Sequence, residues 1–425
     1  MHVFSPYPLA RAIAPALAAA LVPALAAGHA VAATPQELQA QYAPSSLPAT
    51  SHPGAPVPAP FSPEYLAGYV SDLSSYPGGT YYQVVEGFSD LRANHPETMR
   101  ENLDAVVAMN TSASPTRIAA AQADARVDDG ELLAAFSDAF GVTLGGYLRA
   151  AIAENRLPKT RALLDSGYLS RAQGLAASTL IEKSVFNNPR PFVAAPEKIA
   201  RHNAPGEDFY DLGGQGSFPS GHANQAALVT TLLSAVLSEL APQLLARGSQ
   251  AGESRVVMGV HYPLDVIGGR MTGVAAAADR WNDPHMRDAL TQAGAELRAE
   301  LEWRAGVPLA QAVASQDAAG EGFLDTDEAV ATYAAQGTYG LAPVAADNAP
   351  MVVPQAAPDL LLNRFPALDW GQRARVIAAT ALPSGSPLDD QGPRGSWQRV
   401  NLAAAFAADV QVGAGGTLIV NGVAS

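Results

Sequence analysis

The chain of 425 residues contains no cysteine. Disulfide staples are therefore excluded, and an exported protein of this sequence would depend on packing for its stability. Positive charge is also scarce: 26 lysines and arginines face 40 acidic residues, a net charge of −14. That balance opposes nonspecific nucleic-acid binding and gives no reason to expect an anionic membrane surface as partner. It still allows a positive pocket, because a cluster of cations dominates its own field at short range. Beyond the first 33 residues, long apolar runs are missing too. The nearest, 223 to 240, is interrupted by Asn224, Gln225, two threonines, two serines and Glu239, which fits a buried helix rather than a membrane span. What remains is a globular composition, 48% hydrophobic and 16% charged, long enough for one large domain or two ordinary ones.

The first 33 residues read as an export signal. Arg11 is their only charged residue; an apolar stretch (12 to 27) follows, then Ala30-Val31-Ala32, an A-x-A cleavage pattern. A retained N-terminal anchor is the competing reading. Cleavage would leave no integral membrane segment and a periplasmic or secreted address. Residues 34–63 follow as a Pro-rich linker, expected to be extended and unpacked, with seven prolines between Tyr42 and Pro63. From 64 to 305 the pattern is helical, and an all-α bundle is expected. Residues 129 to 154 place Leu132, Leu133, Phe136, Phe140 and Leu144 at steps of mostly three or four. Residues 170 to 186 form a further helical stretch closed by Pro189. Leu228, Leu232, Val236 and Leu240 recur every four residues, and another helix is expected from Pro263, a good first-turn residue. Residues 306–425 read as a mixed, loop-rich extension, with a helical piece over 359 to 381 and short β-like runs over 410 to 423. Asp325-Thr326-Asp327 lacks the glycine and distal glutamate of a calcium loop.

Three short patterns within 83 residues carry the chemistry: Lys183 to Pro191 (KSVFNNPRP), Pro219 to His222 (PSGH) and Ser254 to Asp265 (SRVVMGVHYPLD). PSGH opens a helix, so the amides of Ser220, Gly221 and His222 would point outward where the helix dipole favours an anion. Lys183 and Arg190 flank a helix end and could reach one pocket, Arg as a planar fork and Lys as a compact charge. His261 and Asp265 stand at i and i+4, a spacing that lets the carboxylate fix the imidazole tautomer. Each pattern alone has a plainer reading: a capped helix start, surface cations near a helix end, a structural His–Asp pair. Together and in order they describe a cationic nest with two imidazoles, His222 and His261. None of the other six of eight histidines has comparable surroundings, and no metal-ligand cluster stands out.

Lys183, Arg190, Pro191, the whole of PSGH, Ser254, Arg255, His261 and Asp265 resemble the signature K-x6-RP, PSGH, SR-x5-H-x3-D of the type 2 phosphatidic acid phosphatase superfamily. GSFPSGH and SRVVMGVHYPLDVIGGR are most similar to the exported class A bacterial acid phosphatases. The intervening gaps are 27 and 31 residues, the second short for the family. The resemblance implies a helical bundle of the acid phosphatase and vanadium haloperoxidase type, and a small phosphorylated substrate. It implies that His261 attacks phosphorus, Asp265 orients it, and His222 serves as general acid and then base. Lys183, Arg190, Arg255, Ser220 and the Gly221 amide would hold the phosphate oxygens, with no metal and no cofactor. A vanadium-dependent haloperoxidase is the alternative: the same residues would hold vanadate as cofactor, with His261 as its ligand. A noncatalytic phosphate binder is a third reading, and homo-oligomerisation is left open.

Overall fold

The computed structural model describes residues 48–66, 80–126, 132–165, 179–212, 214–413 and 416–424. The expected signal, the first part of the linker and residues 170–178 of the expected helical stretch lie outside the described residues. Twelve helices organise the rest: α1 Pro96–Ser112, α2 Pro115–Ala125, α3 Val142–Ala153, α4 Leu180–Phe186, α5 Gly221–Val236, α6 Ala241–Val257, α7 Pro263–Asn282, α8 Pro284–Ala305, α9 Leu309–Ala318, α10 Thr326–Ala335, α11 Trp370–Ala379 and α12 Leu402–Ala407. Two further helices, Thr80–Val85 and Phe88–Asn94, precede α1, and short helical turns make up the remainder. Three short strands, β1 Val410–Val412, β2 Leu418–Val420 and β3 Val423–Ala424, form an antiparallel sheet near the end, with Val410 opposite Val420 and Val420 opposite Val423.

The architecture is all-α with a mixed C-terminal region, as the periodicity predicts. Its centre is the trio α5, α6 and α7, nearly every residue of which is buried. Helices apolar or small on all sides belong inside a bundle. The remaining helices wrap this trio: α8 packs on α5 and α7, α2 on α6, and α10 and α12 on α6. Residues after 306 therefore pack against the helical core.

The α5–α7 contact is a backbone contact. A Cβ on Gly269 would stand 2.4 Å from the Ser220 carbonyl oxygen, and one on Gly273 would stand 2.3 Å from that of Asn224. Only glycine permits this approach, which lays the start of α7 against the PSGH turn. The turn is further fixed by Ser220, whose amide donates to the Asp265 carbonyl at 2.8 Å. Phe218, one residue before the turn, stacks on Phe88 and meets Phe186 edge-on, with centroids 3.7 and 5.0 Å apart.

Three expectations are corrected. The linker is not unpacked over its described part. Arg156 donates to the carbonyls of Thr50 and Pro56 at 2.7 and 2.8 Å, the Thr50 amide donates to Glu154 O at 2.9 Å, and Phe61 is buried. Proline removes amide donors but leaves carbonyls, and a buried arginine here takes them up. The helix expected over 129 to 154 is broken into Leu132–Ala135, Ser137–Phe140 and α3. Gly141 between the last two has φ 83° and ψ −176°, a conformation open to glycine alone. The helical piece expected over 359 to 381 is a short 3-10 turn, Ala357–Leu361, and a separate α11 capped by Asp369. Pro366 intervenes.

Candidate active site

Lys183 sits in the last described turn of α4, which ends where Asn187 adopts the left-handed conformation at φ 42°. The turn sends the chain back past the α4 end, so that buried Lys183 Nζ donates to the carbonyls of Gly216 and Ser217, both at 3.2 Å. Arg190 follows the Pro189 break. Its Nε donates to Gln215 O at 3.2 Å and its Nη1 to Val260 O at 3.0 Å. Both cations are thus aimed by carbonyls of the two loops that carry the other motifs.

The third motif joins the end of α6 to the start of α7. Arg255 lies in the last turn of α6 and is buried. The loop folds back, with the amides of Val260 and His261 donating to Arg255 O. Tyr210 and Asn110 satisfy the carbonyls of Met258 and Val257. Val256, Val257, Met258 and Val260 are all buried in one apolar cluster with Phe192 and Tyr210, which fixes the loop from below.

His261 is buried, and its Nδ1 lies 3.1 Å from Asp265 Oδ2. The carboxylate can only accept, so Nδ1 carries the hydrogen and Nε2 presents its lone pair. That lone pair accepts from Arg190 Nη1 at 3.1 Å. Asp265 Oδ2 also accepts from the Tyr262 amide at 2.9 Å, and Oδ1 from Ser217 Oγ at 3.3 Å. One carboxylate therefore caps α7 and fixes the imidazole. Ser220 is buried at the N-cap of α5, its Oγ accepting from the Ala223 amide at 3.3 Å. Gly221 is the first residue of that helix. His222 is only partly buried, lies 3.4 Å from the Ala125 carbonyl, and is near enough for its charge to act on His261.

The electrostatics follow from burying three cations around one carboxylate. Burial lowers Lys183 to about 7, helped by the charges of Arg190 and Arg255. Arg190 falls to about 10 by burial, with Arg255 adding to the shift. Burial also lifts Asp265 to about 6. His261 lies well below the ordinary imidazole value, first from burial and then from Arg190, Lys183 and Arg255. Both effects favour the neutral ring, whose Nε2 lone pair faces Arg190.

The structure thus brings Lys183, Arg190, Arg255, His261 and Asp265 together, with the Ser220–Gly221 turn held against Asp265. Ser254 is different. Its Oγ donates to Asp124 at 2.6 Å and accepts from Arg117 at 3.0 Å, and Asp124 is further bound by Arg247 at 2.6 Å. Ser254 locks α6 to α2. Three residues escaped the sequence reading. Ser217 bridges Asp265 and Asn188, which donates to it at 2.9 Å; Ser217 stands inside GSFPSGH and could have been found there. Glu182 is buried beside Lys183 and lifted by burial to about 7, with no signal beyond its adjacency. Among the described residues no group of three or more histidines and carboxylates could hold a metal ion, and no helix is long and apolar enough to cross a membrane. The other described histidines lie by structural partners, His52 near Glu154, His95 near Asp90, His202 near the Asn110 carbonyl and His285 against Tyr65.

Comparison with known proteins places this site in context. Residues 164–288 match the profile of the PAP2 superfamily. A non-specific acid phosphatase of Salmonella typhi is 33% identical over 120 residues, which is 28% of this chain and 46% of that protein. One from Providencia stuartii is 30% identical over 174 residues, 41% of this chain and 64% of that protein. An acid phosphatase of Zymomonas mobilis is 33% identical over 115 residues, 27% and 42% of the two chains. The chain thus spans about half the length of these relatives.

Proposed function

We propose, on the premise that residues 164–288 form a PAP2 superfamily domain, that this protein is an exported acid phosphatase that hydrolyses phosphate monoesters through a phosphohistidine. The observation that carries the proposal is the state of His261: Nδ1–H tied to Asp265, Nε2 bearing its lone pair, and three buried cations around it.

The chemistry follows from those atoms. A phosphate monoester displaces the Arg190–His261 contact, and its equatorial oxygens take up Lys183, Arg190, Arg255, Ser220 and the Gly221 amide. His261 Nε2 attacks phosphorus in line, forming an N–P bond as the ester P–O bond breaks. The alkoxide leaves with a proton from His222, and Asp265 stabilises the charge that His261 acquires. His222, now neutral, takes a proton from water as that water attacks phosphorus and frees His261. Acid conditions suit this scheme because His222 must begin protonated while burial and neighbouring cations keep His261 neutral. The export signal read at 1–33 and the acid phosphatase names of the relatives support the address and the reaction class.

The residue set also fits vanadate, a phosphate-shaped oxyanion, which Lys183, Arg190 and Arg255 would hold and His261 would ligate; bound there it would supply peroxide activation. The deciding assay gives the purified protein p-nitrophenyl phosphate with and without chelator, and separately vanadate, peroxide and bromide. Hydrolysis that survives the chelator, lost in His261→Ala while vanadate still binds, is expected. An acid-labile, base-stable phosphoenzyme should be trapped on rapid quenching. Bromide peroxidation without ester hydrolysis would overturn the proposal in favour of a haloperoxidase, and unchanged turnover in His261→Ala would remove the nucleophile.

A further inference from the structure

Where Asp265 holds the ring of His261, a backbone carbonyl meets the ring of His222. His222 Nε2 lies 3.4 Å from the carbonyl of Ala125, the last residue of α2. A carbonyl only accepts, so Nε2 carries a hydrogen in that contact. At this length the bond is weak by itself, and it directs the ring only if the end of α2 is firmly placed.

Asp124, one residue before Ala125, places it. Its side chain is buried. Oδ1 accepts from Arg247 Nη2 and Oδ2 from Ser254 Oγ, both at 2.6 Å. Both partners belong to α6. Arg247 is held in turn by Asp138 at 2.8 Å, and Ser254 Oγ accepts from Arg117 at 3.0 Å. Arg255 follows Ser254 in the chain. One carboxylate thus stands a single residue from the carbonyl at His222 and, through Ser254, a single residue from a cation of the phosphate pocket. Desolvating such charges returns little net stability, whereas short charge-assisted bonds fix geometry closely.

We infer, on the reading of His222 as the acid that protonates the leaving oxygen, that Asp124 is a positioning residue for that step. By tying the end of α2 to Ser254 and Arg247, it sets where the ring of His222 stands relative to the cationic nest.

The test uses the full chain and compares kcat/KM, which covers the first phosphoryl transfer, for two substrates. Ethyl phosphate releases a strongly basic alkoxide and needs the proton; p-nitrophenyl phosphate releases a stable phenolate and needs it little. The ratio of the two cancels changes in folded fraction and in the hold on the phosphate. His222→Ala should depress ethyl phosphate relative to the aryl ester by about 100-fold. Asp124→Ala and Ser254→Ala should depress the same ratio by about 10-fold, the cost of a misplaced acid. Arg156→Ala, which weakens the fold elsewhere, should keep the parent ratio. An unchanged ratio in Asp124→Ala, with His222→Ala shifted, would overturn the inference alone. An unchanged ratio in His222→Ala would overturn it together with the role of His222. An equal shift in Arg156→Ala would overturn it by tracing the effect to general loosening. If Asp124→Ala does not fold, Ser254→Ala decides.

Discussion

Asp265→Asn is the perturbation that isolates charge from shape. The amide is isosteric with the carboxylate, and its oxygen can still accept from His261 Nδ1 and the Tyr262 amide, at 3.1 and 2.9 Å in the parent. Its NH2 then faces Ser217 Oγ, which can accept instead of donating. What disappears is one negative charge beneath three cations. At roughly 4 Å and an effective dielectric of about 20, a unit charge stabilises the developing imidazolium by about 4 kcal/mol. That corresponds to about a thousandfold in kcat. The same loss leaves Lys183, Arg190 and Arg255 uncompensated, so phosphate should bind at least ~10-fold more tightly by the same Coulomb arithmetic at longer range. The assay measures kcat with p-nitrophenyl phosphate and the inhibition constant of phosphate as product. Burial lifts the parent carboxyl to about 6, so protonating it below that value mimics the substitution. The limb of kcat/KM falling toward low pH through about 6 should vanish in Asp265→Asn. A variant that keeps parent kcat, or whose phosphate affinity weakens together with kcat, would refute the reasoning.

Three further outcomes follow from the same geometry. Lys183 is lowered to about 7 by burial and by Arg190, so at pH 8 it is mostly neutral; sulfate binding should take up about one proton, read by calorimetry in buffers of different ionisation enthalpy, and Lys183→Met should abolish that uptake. Gly269→Ala places a Cβ 2.4 Å from the Ser220 carbonyl and should cost about 1–3 kcal/mol in urea unfolding and lower turnover sharply, whereas exposed Gly371→Ala, inside α11, should leave turnover unchanged and stability equal or slightly higher. Arg156→Ala removes a bidentate contact with Glu300 at 2.7 and 2.8 Å and two carbonyl contacts; with Arg304 still bound to Glu300, the loss should be about 3 kcal/mol, and proteolysis should open the 48–62 segment.

The sequence reveals this site where spacing is local. His261 and Asp265 meet because i and i+4 meet on a helix start, and the PSGH turn opens α5 because a serine caps a strongly apolar helix. The long-range partners were not legible: nothing in the order of residues says that the carbonyls of Gly216 and Ser217 would take up Lys183, or that Ser254 would serve Asp124 and Arg117. The misread segments have the same origin. Proline content reports that residues 48–62 lack amide donors, not that Arg156 would collect their carbonyls. Apolar spacing over 129 to 154 is helical on paper, but Gly141 at φ 83° divides it.

Under the proposed mechanism, the excess of buried cations over carboxylates would perform two tasks that otherwise conflict. Holding a phosphate dianion requires positive charge, and that charge suppresses the basicity of the nitrogen that must attack. In the free pocket that suppression would be useful: burial, Arg190, Lys183 and Arg255 together favour the neutral form of His261, and Arg190 Nη1 meets its lone pair at 3.1 Å. A dianion entering the pocket would draw Arg190 toward itself and offset the same positive field, so His261 would gain basicity as its electron pair is released. On the proposed mechanism the substrate would thereby activate its own nucleophile, and the cost of crowding cations in the free pocket would be partly returned on binding. Neutralising one cation should therefore act in opposite senses. Arg255→Gln should raise the pKa of His261 in the free protein, seen by NMR titration of the ring, while weakening phosphate binding. An imidazole pKa that stays put or falls in Arg255→Gln would mean that burial alone holds His261 neutral.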